Sequence, residues 1–351
     1  MAARPIELTL DLVPRSRYDA IDVGQRVREE FGDVLAGFRR AAYCSFHTTA
    51  GYLEQSLVAR LRGRDRLDPF IRAFQSLFPA DAEYRHDCLE ERAELSEEQR
   101  RVEPRNADSH LAFIASGLRN CATYTIRPGE PVYFMDLDGV NGGVARRRRT
   151  SVLAYTDAVA VDCIHLEVPV SRHPIDSVNL ADPRVGVVAA AEELRARHGI
   201  DNGRIDISLA GGERDAGVTV NEFETLLMRH DLAEVLDDPF RFLARQGRRM
   251  LRNPRAIPAK SWGYAKYDVV HVLNEVMDAL RISESAVENL LAKMMAVPAA
   301  RFLRLKRSVS LLVSDSHHGI VRGTYQSPIL IQWNGTPRCS RSLEITLTRF
   351  R

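Results

Sequence analysis

A chain of 351 residues is longer than one typical domain and fits two of about 150–175 residues each. Its 45% hydrophobic and 27% charged residues exclude a disordered or collagen-like polymer. The net charge of +2 is too balanced for nucleic-acid or membrane-surface binding through bulk electrostatics.

The predicted elements begin with a strand at residues 6–12, where IELTLDL alternates with the period of a half-buried sheet. A helix follows over 20–38, with Val23, Val27, Phe31 and Val34 at helical spacing. A second strand, AAYCSF (41–46), runs into His47, and short helices are predicted over 53–61 and 70–78. Residues 83–105 are densely charged and read as a solvated loop or an exposed short helix. A helix at 110–118, closed by Gly117, precedes strands at 122–126, 131–137 and 150–155. Beyond Thr156 much of this grammar returns: a strand at 158–170, a helix at 185–199 closed by Gly199, a strand at 204–210 and a helix at 221–236. Helices at 268–280 and 286–296, the second behind a Ser285–Glu288 capping box, lead to strands at 308–313, 328–333 and 342–348.

Local strings repeat along with this order. HTTAG (47–51) and ERDAG (213–217) both fall between strand-like and helix-like segments, 166 residues apart. PVYFMDLDG (131–139) and PILIQWNG (328–335) close the two halves in the same way. A repeat near half the chain length suggests tandem duplication, with chance similarity of two α/β halves as the alternative. The expected division is residues 1–157 and 158–351, with a helical insertion at about 240–310 in the second part.

Five scattered cysteines without a CxxC pair support neither a disulfide framework nor a cysteine zinc site. The first residues lack the apolar stretch of a signal peptide, and no apolar run approaches the ~18 residues of a membrane span. A cytoplasmic protein without nucleic-acid or membrane partners is therefore expected.

Three histidines stand at element ends beside small or polar residues: His47 in FHTTAG, His86 in YRHD and His110 in NADSHLA. Imidazoles are common ligands for first-row metals, and three of them leave positions open for water or substrate. Their wide separation means that only the fold brings them together, and spacing alone leaves unrelated histidines as the alternative.

The same strings, in the same order, resemble the YjbQ-like (UPF0047-like) family of secondary thiamine-phosphate synthases. That family's pattern runs HTTAxxxxNE, YxH, GNxxxHL, GTWQ, then a DG turn and an arginine-rich strand. Residues 6–155 look like a member, including DLDG (136–139) and Arg146–Arg149. The resemblance implies an α+β fold of two YjbQ-like domains, with mixed or antiparallel sheets and helices packed on them. It implies a metal site of His47, His86 and His110, most simply zinc, with iron as the alternative. It further implies a homo-oligomer, trimer or dimer, because single domains of the family form trimers.

Departures from the pattern are complementary. The first half has Glu54-Gln55-Ser56 where the family has Asn-Glu, lacks GTWQ, and carries a charged insertion at 88–104. The second half replaces the first histidine by Glu213 yet keeps Asn221-Glu222 and GTYQ (323–326), with His271 as a candidate remnant of the third histidine. One site assembled from both halves is one reading; a decayed second copy that only stabilises the first is the other.

Roles follow from chemistry. Glu54 or Glu222 is the candidate general base, and Asp87 the carboxylate that fixes an imidazole tautomer. Thr48, Thr49, Asn106, Asn221 and Gln326 are substrate-binding candidates, with helix capping the alternative for the threonines. Strand alternation would turn Arg147 and Arg149 to one face as an anion clamp, against the alternative of a solvated edge. No Walker loop or GxGxxG is present. The expected function is a metal-dependent enzyme of hydrolase or transferase type. It acts on a small polar metabolite, a phosphorylated one being the candidate, by thiamine-phosphate-like chemistry or in a specialised biosynthetic step. A three-histidine iron centre doing oxygen chemistry and a non-catalytic metal-binding structural or regulatory protein are the alternatives.

Overall fold

The computed structural model describes residues 4–61, 67, 70, 74–75, 77–80, 82–237 and 305–351. The chain is α+β, with antiparallel sheets, and divides into two compact units. The first comprises residues 1–58, 117–223 and 305–351, the second residues 59–116 and 224–304. The boundary expected near residue 157 falls inside the first unit, in the turn between its two sets of sheets.

Strands of the first set are β1 (Ile6–Leu12), β2 (Asp19–Asp22), β3 (Arg40–Ser45), β4 (Ala50–Tyr52), β5 (Cys121–Thr125), β6 (Tyr133–Asp136), β7 (Val140–Asn141), β8 (Val144–Ala145) and β9 (Arg148–Tyr155). The second set has β10 (Ala158–Pro169), β11 (Asp176–Asn179), β12 (Gly203–Leu209), β13 (Ala216–Asn221), β14 (Ser308–Ser314), β15 (Gly319–Ile320), β16 (Ser327–Gln332) and β17 (Ser340–Phe350). Among the described residues the α-helices are α1 (Val23–Phe31), α2 (Gln55–Leu61), α3 (Glu97–Val102), α4 (Ala107–Ser116), α5 (Val187–Arg197) and α6 (Leu232–Asp237).

One topology appears twice. The order β1-β9-β3-β5 is matched by β10-β17-β12-β14, extended by β15, and β2-β6-β4 is matched by β11-β16-β13. Helices α1 and α5 occupy the same place, between the second and third strands of each set. Small features repeat as well: the isolated bridge Tyr52–Arg119 has its counterpart in Val218–Lys306.

The long helix expected over 20–38 is shorter for a local reason. Residues 19–22 pair with β6, and the Asp22 side chain accepts the Gln25 amide at 3.1 Å, starting α1 there. Gly32, at φ 65°, ends it in a conformation that side chains rarely adopt, and a 3₁₀ turn occupies Val34–Gly37. The helix expected at 221–236 starts later, because Asn221 closes β13 against Ser327.

Alternation in β12 (GRIDISL) puts Ile205 and Ile207 into a core with Leu311, Leu330, Ile345 and Leu347. A smaller cluster joins the two sets of sheets through Ala42, Cys44, Leu153 and Tyr155 on one side and Leu312, Val321 and Phe350 on the other. There the Tyr155 and Phe350 rings stack at 3.8 Å and 7°. Each fully buried side chain of this size contributes about 1.5–3 kcal/mol.

In the second unit, Ser96 and Gln99 form a reciprocal capping box at α3, and every residue of α4 is buried. A π-helical turn, Leu227–Asp231, runs into α6. The helices expected at 268–280 and 286–296, with His271 and the Ser285–Glu288 box, lie outside the described residues, as do most of the insertion at 240–310 and part of the helix at 70–78. No helix among the described residues is long and apolar enough to cross a membrane.

Candidate functional site

The FHTTAG loop leaves β3 at Ser45 and re-enters the sheets at Ala50. Ser45 ties its two ends together, accepting the His47 amide at 3.2 Å and donating to the Ala50 carbonyl at 2.6 Å. His47 Nε2 accepts the Arg149 backbone amide at 2.8 Å, which places the ring proton on Nδ1. Burial and the charges of Arg148, Arg146 and Arg149 push this imidazole down to about 3, so it is neutral at physiological pH.

Residues more than 170 positions away hold the loop. The Gln326 amide donates to the Ser45 and His47 carbonyls at 3.0 and 2.8 Å, and Asn221 Nδ2 donates to the Thr48 carbonyl at 3.0 Å. Gly323 lies so close that a Cβ there would meet the Phe46 oxygen at 1.9 Å. Asn221 and the GTYQ segment thus fasten the histidine loop. Thr49 is buried, its carbonyl accepting the Leu137 amide at 3.0 Å.

The arginine run divides by the pleat of β9. Arg147 and Arg149 are exposed, and Arg149 approaches Asp11 at 3.8 Å. Arg148 is 2% exposed and meets Asp136 in a two-pronged ion pair at 2.7 and 2.9 Å, with a third bond to the Asp138 carbonyl at 2.7 Å. Arg146 pairs with the Asp138 carboxylate.

The second set of sheets carries the same device with different partners. Buried Arg341 donates to the Asn334 carbonyl at 2.6 Å, as Arg148 does to that of Asp138. Its carboxylate partner is Glu213, at 3.0 Å, while Gln332 stands at the strand position that Asp136 holds in the first set. Glu213 also accepts the Ser342 amide at 2.9 Å, the bond that His47 accepts from Arg149.

Glu54 is engaged by Arg119 at 2.7 Å and Lys306 at 3.3 Å. Burial opposes its ionisation, but these two cations outweigh it and hold the carboxyl below its ordinary range. A carboxylate so held is a poor base. Glu222 follows β13, half-buried, its amide donating to Asn221 Oδ1 at 2.8 Å.

His86 and His110 belong to the second unit, whereas His47 belongs to the first. The two rings are buried with centroids 5.1 Å apart, and a nitrogen of each lies within 4.8 Å of the other. His86 Nδ1 bonds Glu224 at 2.9 Å. Burial works against ionised Glu224, yet the His86 ring and the Leu226 and Leu227 amides outweigh it and hold the carboxyl down to about 2. An ionised acceptor places a proton on Nδ1 of His86. Asp231 accepts the amides of both Arg85 and His86 at 2.9 Å, and burial pushes its carboxyl up to about 6. Asp87 accepts the Ala107 amide at the start of α4 at 3.0 Å. Asn106 sets the same turn, its carbonyl receiving the Ser109 and His110 amides at 3.0 and 3.2 Å.

The pair fits a metal by its donor set: histidine nitrogens suit zinc and ferrous iron, and the carboxylate behind one ring is the usual support of a metal-binding imidazole. Sequence reading missed Glu224 and Asp231 as supports of His86. Glu224 lies two residues beyond Asn221-Glu222, and nothing local signals a partner 138 positions away.

No family model matches the chain, and no curated protein matches it. Among solved structures it is similar to a YbjQ-like protein of unknown function from Sulfolobus solfataricus P2, at 18% identity and TM-score 0.30 over 55% of this chain and 99% of that one. It is also similar to a hypothetical protein from Aeropyrum pernix K1, at 16% identity and TM-score 0.29 over 53% and 98% of the two chains. An uncharacterized conserved protein of the yjbq/upf0047 family from Clostridium acetobutylicum matches at 11% identity and TM-score 0.28 over 52% and 98%.

Proposed function

We propose that the chain is a metal-dependent enzyme of hydrolase or transferase type, acting on a small phosphorylated metabolite and built from two diverged copies of one YjbQ-like domain. The observation that carries the metal reading is the buried His86–His110 pair, with the Glu224 carboxylate behind His86. Two strand orders that match strand for strand, and two buried arginines with equivalent bonds, support the duplication.

A divalent metal held by His86 and His110, zinc first, would supply Lewis-acid polarisation of a phosphoryl oxygen or a water of lowered pKa. The chain's own residues do the rest. Glu224 fixes the tautomer of His86, and Asp231 holds the backbone that presents it. Exposed Arg147 and Arg149 supply cationic charge beside the His47 loop for a phosphate, as planar donors suited to two oxygens at once. Gln326 and Asn221 set the loop's shape from the second copy. Glu222 is the carboxylate we assign as general base, in preference to Glu54 with its two cations.

The test is metal analysis of the purified full chain, repeated on His86→Ala and His110→Ala, with phosphate release from thiamine phosphate and simpler phosphate esters as the activity readout. About one zinc per chain, lost in both variants together with activity, is the expected result. Iron in its place would move the assignment to oxygen chemistry. A wild-type chain that binds no divalent metal, or a His86→Ala chain that keeps both metal and activity, would overturn the proposal. Glu222→Gln with full activity and normal folding would remove Glu222 from the role of base.

A further inference from the structure

The first unit contains a half-enclosed cavity of about 320 Å³ between α1, the 3₁₀ turn after it and the ends of β3 and β5. That volume lies at the lower end of what small-molecule sites occupy. Its walls are mostly apolar, with Val27, Leu35, Phe38 and Ile126 among them. Two groups that line it have polar ends the fold does not engage. Tyr43 is 3% exposed, and among the described residues nothing hydrogen-bonds its hydroxyl, which opens onto the cavity. That hydroxyl is free to donate to a ligand in the cavity. Burial, and then the Asp22 charge, push the phenol up, so it remains a proton donor. Arg28 stands at the exposed rim near enough to act on that phenol, and among the described residues it forms no ion pair.

We propose that this cavity is a second ligand site, separate from the histidines, for a small carboxylic acid with an aromatic or branched aliphatic body. The apolar walls take the body, while the carboxylate accepts from Tyr43 Oη and from the Arg28 guanidinium. Arginine matches a carboxylate with two parallel donors, and a charged acceptor strengthens the phenol's bond. Of the acidic groups that line the cavity, Glu130 is already engaged by Gln55 at 2.8 Å and Arg127 at 3.6 Å. Asp33 is the other, and it is the group that a cationic ligand would choose instead.

Isothermal titration of the full chain with phenylacetate, phenylacetamide and phenethylamine tests the assignment. Phenylacetate is expected to bind, the neutral amide at least about tenfold more weakly, and the amine not at all. Tyr43→Phe removes one oxygen from a packed ring, and Arg28→Gln changes an exposed side chain, so both variants should fold. Each is expected to weaken phenylacetate about tenfold or more, the worth of one hydrogen bond to a charged group, with metal content unchanged. Absence of phenylacetate binding, equal affinity in wild type and both variants, or preference for the amine would overturn the proposal. The last outcome would give the cavity to cations at Asp33.

Discussion

Replacing Gln326 by glutamate tests whether the second half of the chain holds the histidine loop of the first. The Gln326 amide nitrogen serves the Ser45 and His47 carbonyls, and its oxygen accepts the Gly323 amide at 2.9 Å, in a side chain 3% exposed. Glutamate has nearly the same volume, so no cavity opens, but its second oxygen faces two carbonyl oxygens instead of donating to them. Two buried acceptors lose their donor, each at about 1–3 kcal/mol, and an ionised carboxylate there would add repulsion. The carboxyl escapes part of this by binding a proton, which raises its folded-state pKa above the ~4.3 of free glutamate. The folded chain then carries more protons than the unfolded one in the interval above ~4.3, so the variant's relative stability falls as pH rises through it. We expect a loss of about 2–4 kcal/mol against wild type at pH 7 and a smaller loss at pH 4, where the protonated acid donates to one carbonyl. Urea unfolding followed by far-ultraviolet circular dichroism at both pH values measures this. A loss below about 0.5 kcal/mol at pH 7, or a larger loss at pH 4 than at pH 7, would refute the clamp.

Arg148→Met leaves buried Asp136 without its counter-charge and should cost about 3–5 kcal/mol in the same assay; adding Asp136→Leu should restore most of that. Gly323→Ala drives a Cβ into the Phe46 carbonyl and should cost about 2 kcal/mol or more, whereas Gly211→Ala, with nothing within 4 Å, should stay near neutral. Glu224→Gln should weaken metal binding about 10–100-fold in a competition titration while the circular dichroism spectrum is unchanged. Glu213→His should destabilise the chain by stripping Arg341 of its carboxylate, and Gln332→Asp in the same chain should recover much of the loss, as read from urea midpoints.

Periodicity made β1 and β12 legible because one face of each is more buried than the other. The alternation in IELTLDL and RIDISLA marks β1 and β12 to within a residue. Short strands were not legible: β4 has three residues, and β2 merged with α1 because Asp22 serves both the strand pairing and the helix cap. The histidines stood out by their neighbours, but their supports did not. Glu224 and Asp231 act on His86 from 138 and 145 positions away, and a single carboxylate in NEFETLL looks no different from a solvated one. The arginine run was half legible. Alternation separates Arg147 and Arg149 from Arg148, but only the position of Asp136 decides that the buried member is an ion-pair partner and the exposed ones are available.

The two buried arginines account for a histidine at one loop position and a glutamate at the matching one. A guanidinium out of water requires one carboxylate nearby. In the first half Asp136 supplies it, so the neighbouring position need only accept a backbone amide, and neutral His47 Nε2 does that. In the second half the strand position carries Gln332, which is neutral, and the charge comes from Glu213, which accepts the equivalent amide with the same group. The pairs Asp136–His47 and Gln332–Glu213 thus each deliver one negative charge per arginine, and exchanging a single member would give two or none. Where the carboxylate sits on the strand, the loop position is released from its structural charge and can hold an uncharged imidazole among three arginines. Any chemistry at the FHTTAG loop therefore depends on Asp136, a residue that touches neither His47 nor solvent in its own bonds to Arg148.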